Sequence, residues 1–143
     1  MRFMILRMAD AETEAMVMPS EALLRDMGNY MEEMHKAGVL ISGDGLHPSS
    51  KATRIEFKAG KPTLTDGPFT ETKELIAGFS MINVKSKEEA LEWVKRWPVS
   101  DGHGNVRLEL RQVFEADEFG EEFTPELRER EERMRAELIQ KQY

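Results

Sequence analysis

Asp66 heads an Asp-Gly-Pro-Phe stretch, and a carboxylate beside a glycine can meet a ligand at close range because no Cβ shields the backbone. A proton-transfer site built on it needs a partner that titrates near neutral pH. His47, within Gly-Asp-Gly-Leu-His-Pro at 43–48, carries the imidazole suited to that task, so Asp66 and His47 are the candidate catalytic pair. Glu71, Lys73 and Glu74 follow at once, and an Asp66–Lys73 ion pair would hold the loop's shape or keep Asp66 ionised. Lys73, Glu74, Glu109 and Arg111 are the candidate ligand-binding charges, with Arg111 as the orienting one.

Each residue also has a plainer reading. Asp before Gly is a common turn residue whose carboxylate satisfies backbone N–H groups, and a loop histidine needs no partner. Exposed ion pairs contribute less than about 1 kcal/mol. The Phe69 ring fits a loop anchor better than a stacking platform. His35 and His103 have no acidic neighbour at metal-binding spacing, so neither a metal nor a cofactor is expected. No Walker motif, dinucleotide fingerprint or nucleophile elbow is present in the sequence.

These residues must be positioned by a single core, because 143 residues suffice for one domain. Zero Cys removes disulfides, thiolate nucleophiles and Cys-ligated metals. A net charge of −7 without a Lys/Arg cluster argues against nucleic acid as a partner. The first ten residues, interrupted by Arg2, Arg7 and Asp10, read neither as a signal peptide nor as a membrane span, so cytoplasmic residence is the expectation.

Arg2 to Met8 reads as a strand, followed by a loop from Asp10 to Pro19. Ser20 caps an expected helix with Leu23, Met27, Tyr30, Met31 and Met34 on one face and Gly38 at its end. Residues 39–42 form a short strand entering a glycine-punctuated loop over 43–50. A hairpin pairs 53–58 with 61–65, Pro62 keeping its second strand at an edge. Residues 66–75 are then a separate loop. A strand over 77–84, a helix opened by Ser86 and Glu89 and carrying Trp97, and an alternating strand over 105–112 complete the order.

This order is β-α-β, a hairpin, then β-α-β: an α+β, ferredoxin-like protomer with both helices on one side of the sheet. The uncovered face predicts a homodimer, with Arg107, Glu109 and Arg111 pointing between the sheets. Residues 114–143 are separate: an acidic connector with five acids over 115–123, then a helix from Thr124-Pro125. Glu126/Arg130, Glu129/Arg133, Glu131/Arg135 and Glu137/Lys141 stand at i,i+4 beside a stripe of Leu127, Met134 and Leu138. That helix is a candidate contact for a protein partner.

TDGPFTETKE at 65–74, Gly78-Phe79, EEALEW at 88–93 and Glu109-Leu110-Arg111 together resemble the DGPF-domain branch of the YCII-related proteins over residues 1–113. GDGLHP at 43–48 is similar to that family's Gly-Glu-Gly-Leu-x-Pro segment, with Asp44 in place of Glu. The resemblance implies a dimeric α/β-barrel. It fixes no reaction, although the wider superfamily includes small enzymes with a His–Asp pair in the cleft. Two functions stay open: a cleft that binds a small polar or anionic molecule and transforms it by acid–base chemistry, or a non-catalytic binding or regulatory accessory protein. The second would fit the frequent encoding of DGPF proteins beside extracytoplasmic-function sigma factors.

Overall fold

The computed structural model describes residues 1–141, in two compact units, Met1–Val113 and the segment from Phe114 onward. In the first unit, β1 (Arg2–Met8), β2 (Leu40–Gly45), β5 (Ile76–Asn83) and β6 (Leu108–Gln112) form an antiparallel sheet in the order β2-β5-β1-β6. With α2 (Glu21–Lys36) and α3 (Lys87–Val94) as the crossovers, this is the ferredoxin-like arrangement. The hairpin β3 (Thr53–Lys58) and β4 (Lys61–Asp66) is inserted between β2 and β5 as a separate two-stranded sheet.

Strand alternation explains the core. Phe3 and Ile5 of β1 pair with Ile82 and Ser80 of β5, and this face is buried beneath Tyr30 and Met34 of α2 and Ala90 of α3. Tyr30 ties the two helices together: its hydroxyl donates to the Trp93 carbonyl at 2.6 Å, and its ring meets Trp97 edge-on at 5.7 Å. Burial pushes the Tyr30 hydroxyl up to about 12, so it stays a donor across the ordinary pH range.

Caps set the helix limits. Ser20 Oγ accepts from Leu23 N–H at 3.1 Å. At the other end Gly38, at φ 73°, permits a Schellman close in which Val39 N–H donates to the Met34 carbonyl.

Three boundaries differ from the sequence expectation. The Asp10–Pro19 loop contains a short helix, α1 (Ala11–Glu14), because Asp10 and Thr13 form a reciprocal capping box with Thr where Glu or Gln is usual. β2 continues through Gly43, Asp44 and Gly45, which pair with β5 rather than turning. β6 starts only at Leu108, since Gly102, His103 and Gly104 occupy left-handed backbone and delay it.

The Asp-Gly-Pro-Phe loop is fastened to the turn Ser49–Lys51. A Cβ on Gly67 would lie 1.8 Å from the Ser49 carbonyl oxygen, so the approach admits only glycine. Ser49, itself held by the Glu14 carboxylate, accepts the Phe69 N–H at 3.0 Å, and Arg54 stacks 3.8 Å over the half-buried Phe69 ring. Phe69 is thus a loop anchor.

In the second unit, the rings of Phe114, Phe119 and Phe123 pack in series, tilted against one another at centroid distances of 5.4 and 5.5 Å, and α4 (Pro125–Lys141) follows. Of the four expected i,i+4 pairs only Glu131–Arg135 closes, at 2.7 Å, among the described residues. Such exposed pairs gain little and form only where rotamers agree. No described helix is long and apolar enough to cross a membrane.

Gly67→Ala is expected to destabilise the first unit by about 2 kcal/mol, because the loop must lift off the Ser49 turn. Thermal unfolding checks this, and an unchanged melting temperature would contradict the close approach.

Candidate functional site

Four positions on the α2-facing side of β2 and β5 are almost bare. Gly43 pairs with Ser80 and Gly45 pairs with Gly78, so over two rungs of the ladder nothing larger than a hydroxymethyl group rises from the sheet. The neighbouring rungs fill the same layer with Phe3, Ile5 and Ile82. The result is a cavity of about 460 Å³ between the bare strip and α2, walled by Met27, Met31, Leu40 and Trp97. A Cβ on Gly43 would sit 3.1 Å from the Phe79 carbonyl oxygen and one on Gly78 3.2 Å from that of Asp44, whereas one on Gly45 would meet nothing within 4 Å. Glycine inside a strand weakens it and often marks a close approach: at Gly43 and Gly78 the neighbouring strand's backbone comes close, whereas Gly45 faces open space.

One end of the cavity is charged. Arg7, 8% exposed, donates from Nε and Nη2 to the two oxygens of Asp101, 7% exposed, at 3.1 and 2.7 Å. Its Nη1 donates to the Met8 carbonyl at 2.9 Å and to Asp10 at 3.1 Å, and Trp97 Nε1 donates to Asp101 at 2.9 Å. Burial alone would raise the Asp101 carboxyl, but the hydrogen bonds from Arg7 and Trp97 and the Arg7 charge outweigh it, and the net shift is down. Asp10 is likewise lowered: burial again opposes, and the Thr13 N–H and Arg7 prevail. Arg7 is raised, its partners overcoming its own burial. One cation between two carboxylates leaves this end net negative.

A second hollow of about 410 Å³ lies beyond the same pair and shares Arg7, Gly45, Ala77 and Asp101 with the first. On its wall His103 Nε2 approaches the Glu12 carboxylate at 3.0 Å. His103 is held at φ 56° between two glycines, a conformation in which a non-glycine residue stores strain. Among the described residues, no group of three or more His, Asp or Glu side chains is placed to hold a metal ion.

The residues singled out from the sequence lie elsewhere. Asp66 ends β4, exposed, and accepts from the Thr53 hydroxyl across the hairpin at 2.9 Å. His47 is exposed and lines a smaller hollow with Thr13, Val17 and Pro48. Lys73 and Glu74 are exposed in the turn Thr72–Glu74, and the Lys73 carbonyl accepts from Arg107 at 3.3 Å. Glu109 and Arg111 are exposed on β6 opposite Leu6 and Met4, on the face away from α2. Among the described residues no hydrogen bond joins His47 to Asp66 and no ion pair joins Asp66 to Lys73.

Sequence reasoning missed the bare strip, Arg7, Asp101 and the His103–Glu12 pair. A signal existed for the first: Gly43-x-Gly45 and Gly78-x-Ser80 repeat small residues at the strand period. Arg7 in an apolar strand also called for a buried partner, yet nothing local pointed to Asp101, 94 residues away.

Both lowered carboxyls contribute stability that is complete above the ordinary value of 3.8 and is lost as pH falls through their lower folded-state values. Acid unfolding of Asp101→Asn should therefore depend less steeply on pH below about 4 than that of the wild type. At neutral pH, Asp101→Ala should cost about 3 kcal/mol, because it strips a buried guanidinium of its bidentate partner. Chemical denaturation measures both effects, and wild-type stability in the alanine variant would contradict the assignment.

The chain is 35% identical over 75 residues to an uncharacterized protein of Rhizobium meliloti (strain 1021), a match spanning 52% of this chain and 60% of that relative, less than two thirds of its length. Among solved structures, 5-chloro-2-hydroxyhydroquinone dehydrochlorinase (TftG) from Burkholderia phenoliruptrix AC1100, in complex with 2,5-dihydroxybenzoquinone, is similar at a TM-score of 0.43 and 14% identity, over 80% of this chain and 94% of that one. A likeness at that level transfers no chemistry. The model of the YCII-related domain matches residues 1–115, the stretch that holds the sheet, the cavity and the Arg7–Asp101 pair, and the chain belongs to the YCII-related domain family.

Proposed function

We propose that this protein binds a small molecule in the cavity between α2 and the bare strip of β2 and β5. The observation that carries the reading is the strip itself. Gly43, Gly45, Gly78 and Ser80 leave about 460 Å³ open in a layer that Phe3, Ile5 and Ile82 otherwise pack solid. A protein with only a structural task would gain stability by covering that apolar surface, since burying it removes it from water. An open-mouthed, mainly apolar cleft with a few polar groups at one end is a usual form of small-molecule site.

Self-association is part of the proposal. The sheet face away from α2 carries half-buried Met4, Met8, Phe79 and Met81, and the hairpin exposes Ile55, Phe57 and Leu64 on one side. Docking two such surfaces would cover apolar area in both copies. Acid–base chemistry is the second reading, favoured by the His103–Glu12 contact in the adjoining hollow. In that reading His47 and Asp66 are a separate proton-handling proposal. The Thr53 hydrogen bond favours a hairpin role for Asp66.

Gly45→Val places a strand-favouring side chain where there is room, so the fold should persist and the cavity should shrink. In a thermal-shift screen against a metabolite library, compounds that stabilise the wild type should fail on Gly45→Val. Unchanged hits would refute the site. Asp66→Asn keeps an acceptor for Thr53, so its stability should stay within about 0.5 kcal/mol of wild type and the hits should persist. Loss of the hits in Asp66→Asn alone would move the site to the Asp-Gly-Pro-Phe loop.

A further inference from the structure

We infer that the cavity selects an uncharged molecule with an apolar body and a group that both donates and accepts a hydrogen bond, such as a hydroxyl. This inference rests on the binding reading above and names its ligand class. The first observation is Ser80. Its residue is 1% exposed, it lines the cavity, and its hydroxyl makes no hydrogen bond to any described residue. Among the described residues no fully sealed side-chain polar atom lacks a partner, so the unpaired Oγ opens onto the cavity it lines. A hydroxyl in that position is satisfied by what enters the cavity.

The second observation is how much of the charged end is already used. A guanidinium has five N–H bonds. Four of those on Arg7 are spent on Asp101, Asp10 and the Met8 carbonyl, which leaves one on Nη2. Asp101 Oδ2 accepts from both Arg7 and Trp97, whereas Oδ1 accepts only from Arg7 Nη2, at 2.7 Å. The spare donor and the spare acceptor therefore belong to atoms 2.7 Å apart on two residues that line the cavity, and the Ser80 hydroxyl, able to serve as either, lines it too.

A hydroxyl matches that arrangement, giving its hydrogen to Asp101 and its lone pairs to Arg7 or Ser80. A carboxylate does not, because it has no hydrogen for Asp101 and meets a net negative end built from Arg7, Asp10 and Asp101. An ammonium is drawn to the same net negative end and can donate to Asp101, but it has no lone pair for the Arg7 N–H and sets a second cation against the guanidinium. Met27, Met31 and Leu40 then take the apolar body, and the thioethers also favour a ring. Of the polar or anionic molecule expected from the sequence, this inference keeps the polar one and sets the anion aside.

The test uses four probes that share one ring system: naphthol, naphthoate, naphthylmethylamine and naphthalene. Binding is followed by amide NMR of the full chain at the Gly43, Gly45 and Gly78 signals and at the Trp97 indole. Naphthol is expected to bind at least about tenfold more tightly than naphthoate, because a site that must hydrogen-bond its ligand rejects one that leaves it unpaired. Ser80→Ala removes a hydroxyl with no partner among the described residues, so it should fold as the wild type does. It should weaken naphthol about three- to tenfold and leave naphthalene unchanged. Naphthoate or naphthylmethylamine binding as tightly as naphthol, naphthol no tighter than naphthalene, or no naphthol binding at millimolar concentration would overturn the ligand class. Binding that persists undiminished in Gly45→Val, or signals that move only away from the strip, would overturn the cavity reading itself.

Discussion

A guanidinium carried into the interior must take counter-charge with it, and much of the site follows from how Arg7 meets that demand. Arg7 stands on the helix-facing side of β1, where its neighbours Phe3 and Ile5 enter the core. Its charge is met from two directions: Asp101 arrives from the turn after α3, and Asp10 from the cap of α1. One side chain therefore fixes a strand end, a helix start and a left-handed turn against each other. The cost of a buried ion pair is offset by its completeness, since both Asp101 oxygens and most of the Arg7 hydrogens are used.

The left-handed turn is what brings Asp101 home. Gly102 packs so closely that a Cβ there would meet the Val106 side chain at 2.7 Å, and His103 accepts positive φ beside it. Strain of this sort persists only when the surroundings over-determine it, and the Arg7–Asp101 and Trp97–Asp101 bonds provide that constraint. Beyond this rigid end the bare strip begins. The cavity thus has one stiff, polar, net negative wall and one adaptable wall of methionines, a pairing that suits positioning one end of a ligand while tolerating variety at the other.

The fold was more legible in the sequence than the site. Period-two runs such as Val106-Leu108-Leu110, the Ser20 and Ser86 caps and the Gly38 stop gave the element order, because each is a local signal with a local cause. The site fails that condition. Gly43 and Gly45 look like turn punctuation until β5 is laid beside them, and Asp101 gains its meaning only from Arg7. Asp66, by contrast, is conspicuous in one dimension because Asp-Gly-Pro is a strong turn signal. In three dimensions its glycine serves a close approach to Ser49, and its carboxylate accepts from Thr53.

Ligand binding at this site requires that the space above Gly43, Gly45 and Gly78 be open. The direct measurement is a crystal structure under xenon pressure, because xenon occupies apolar cavities that are empty of side chains. Xenon density against the bare strip, between Met27 and Gly45, is the predicted result. A structure in which Met27 and Met31 lie flat on the glycines and no xenon binds would contradict it.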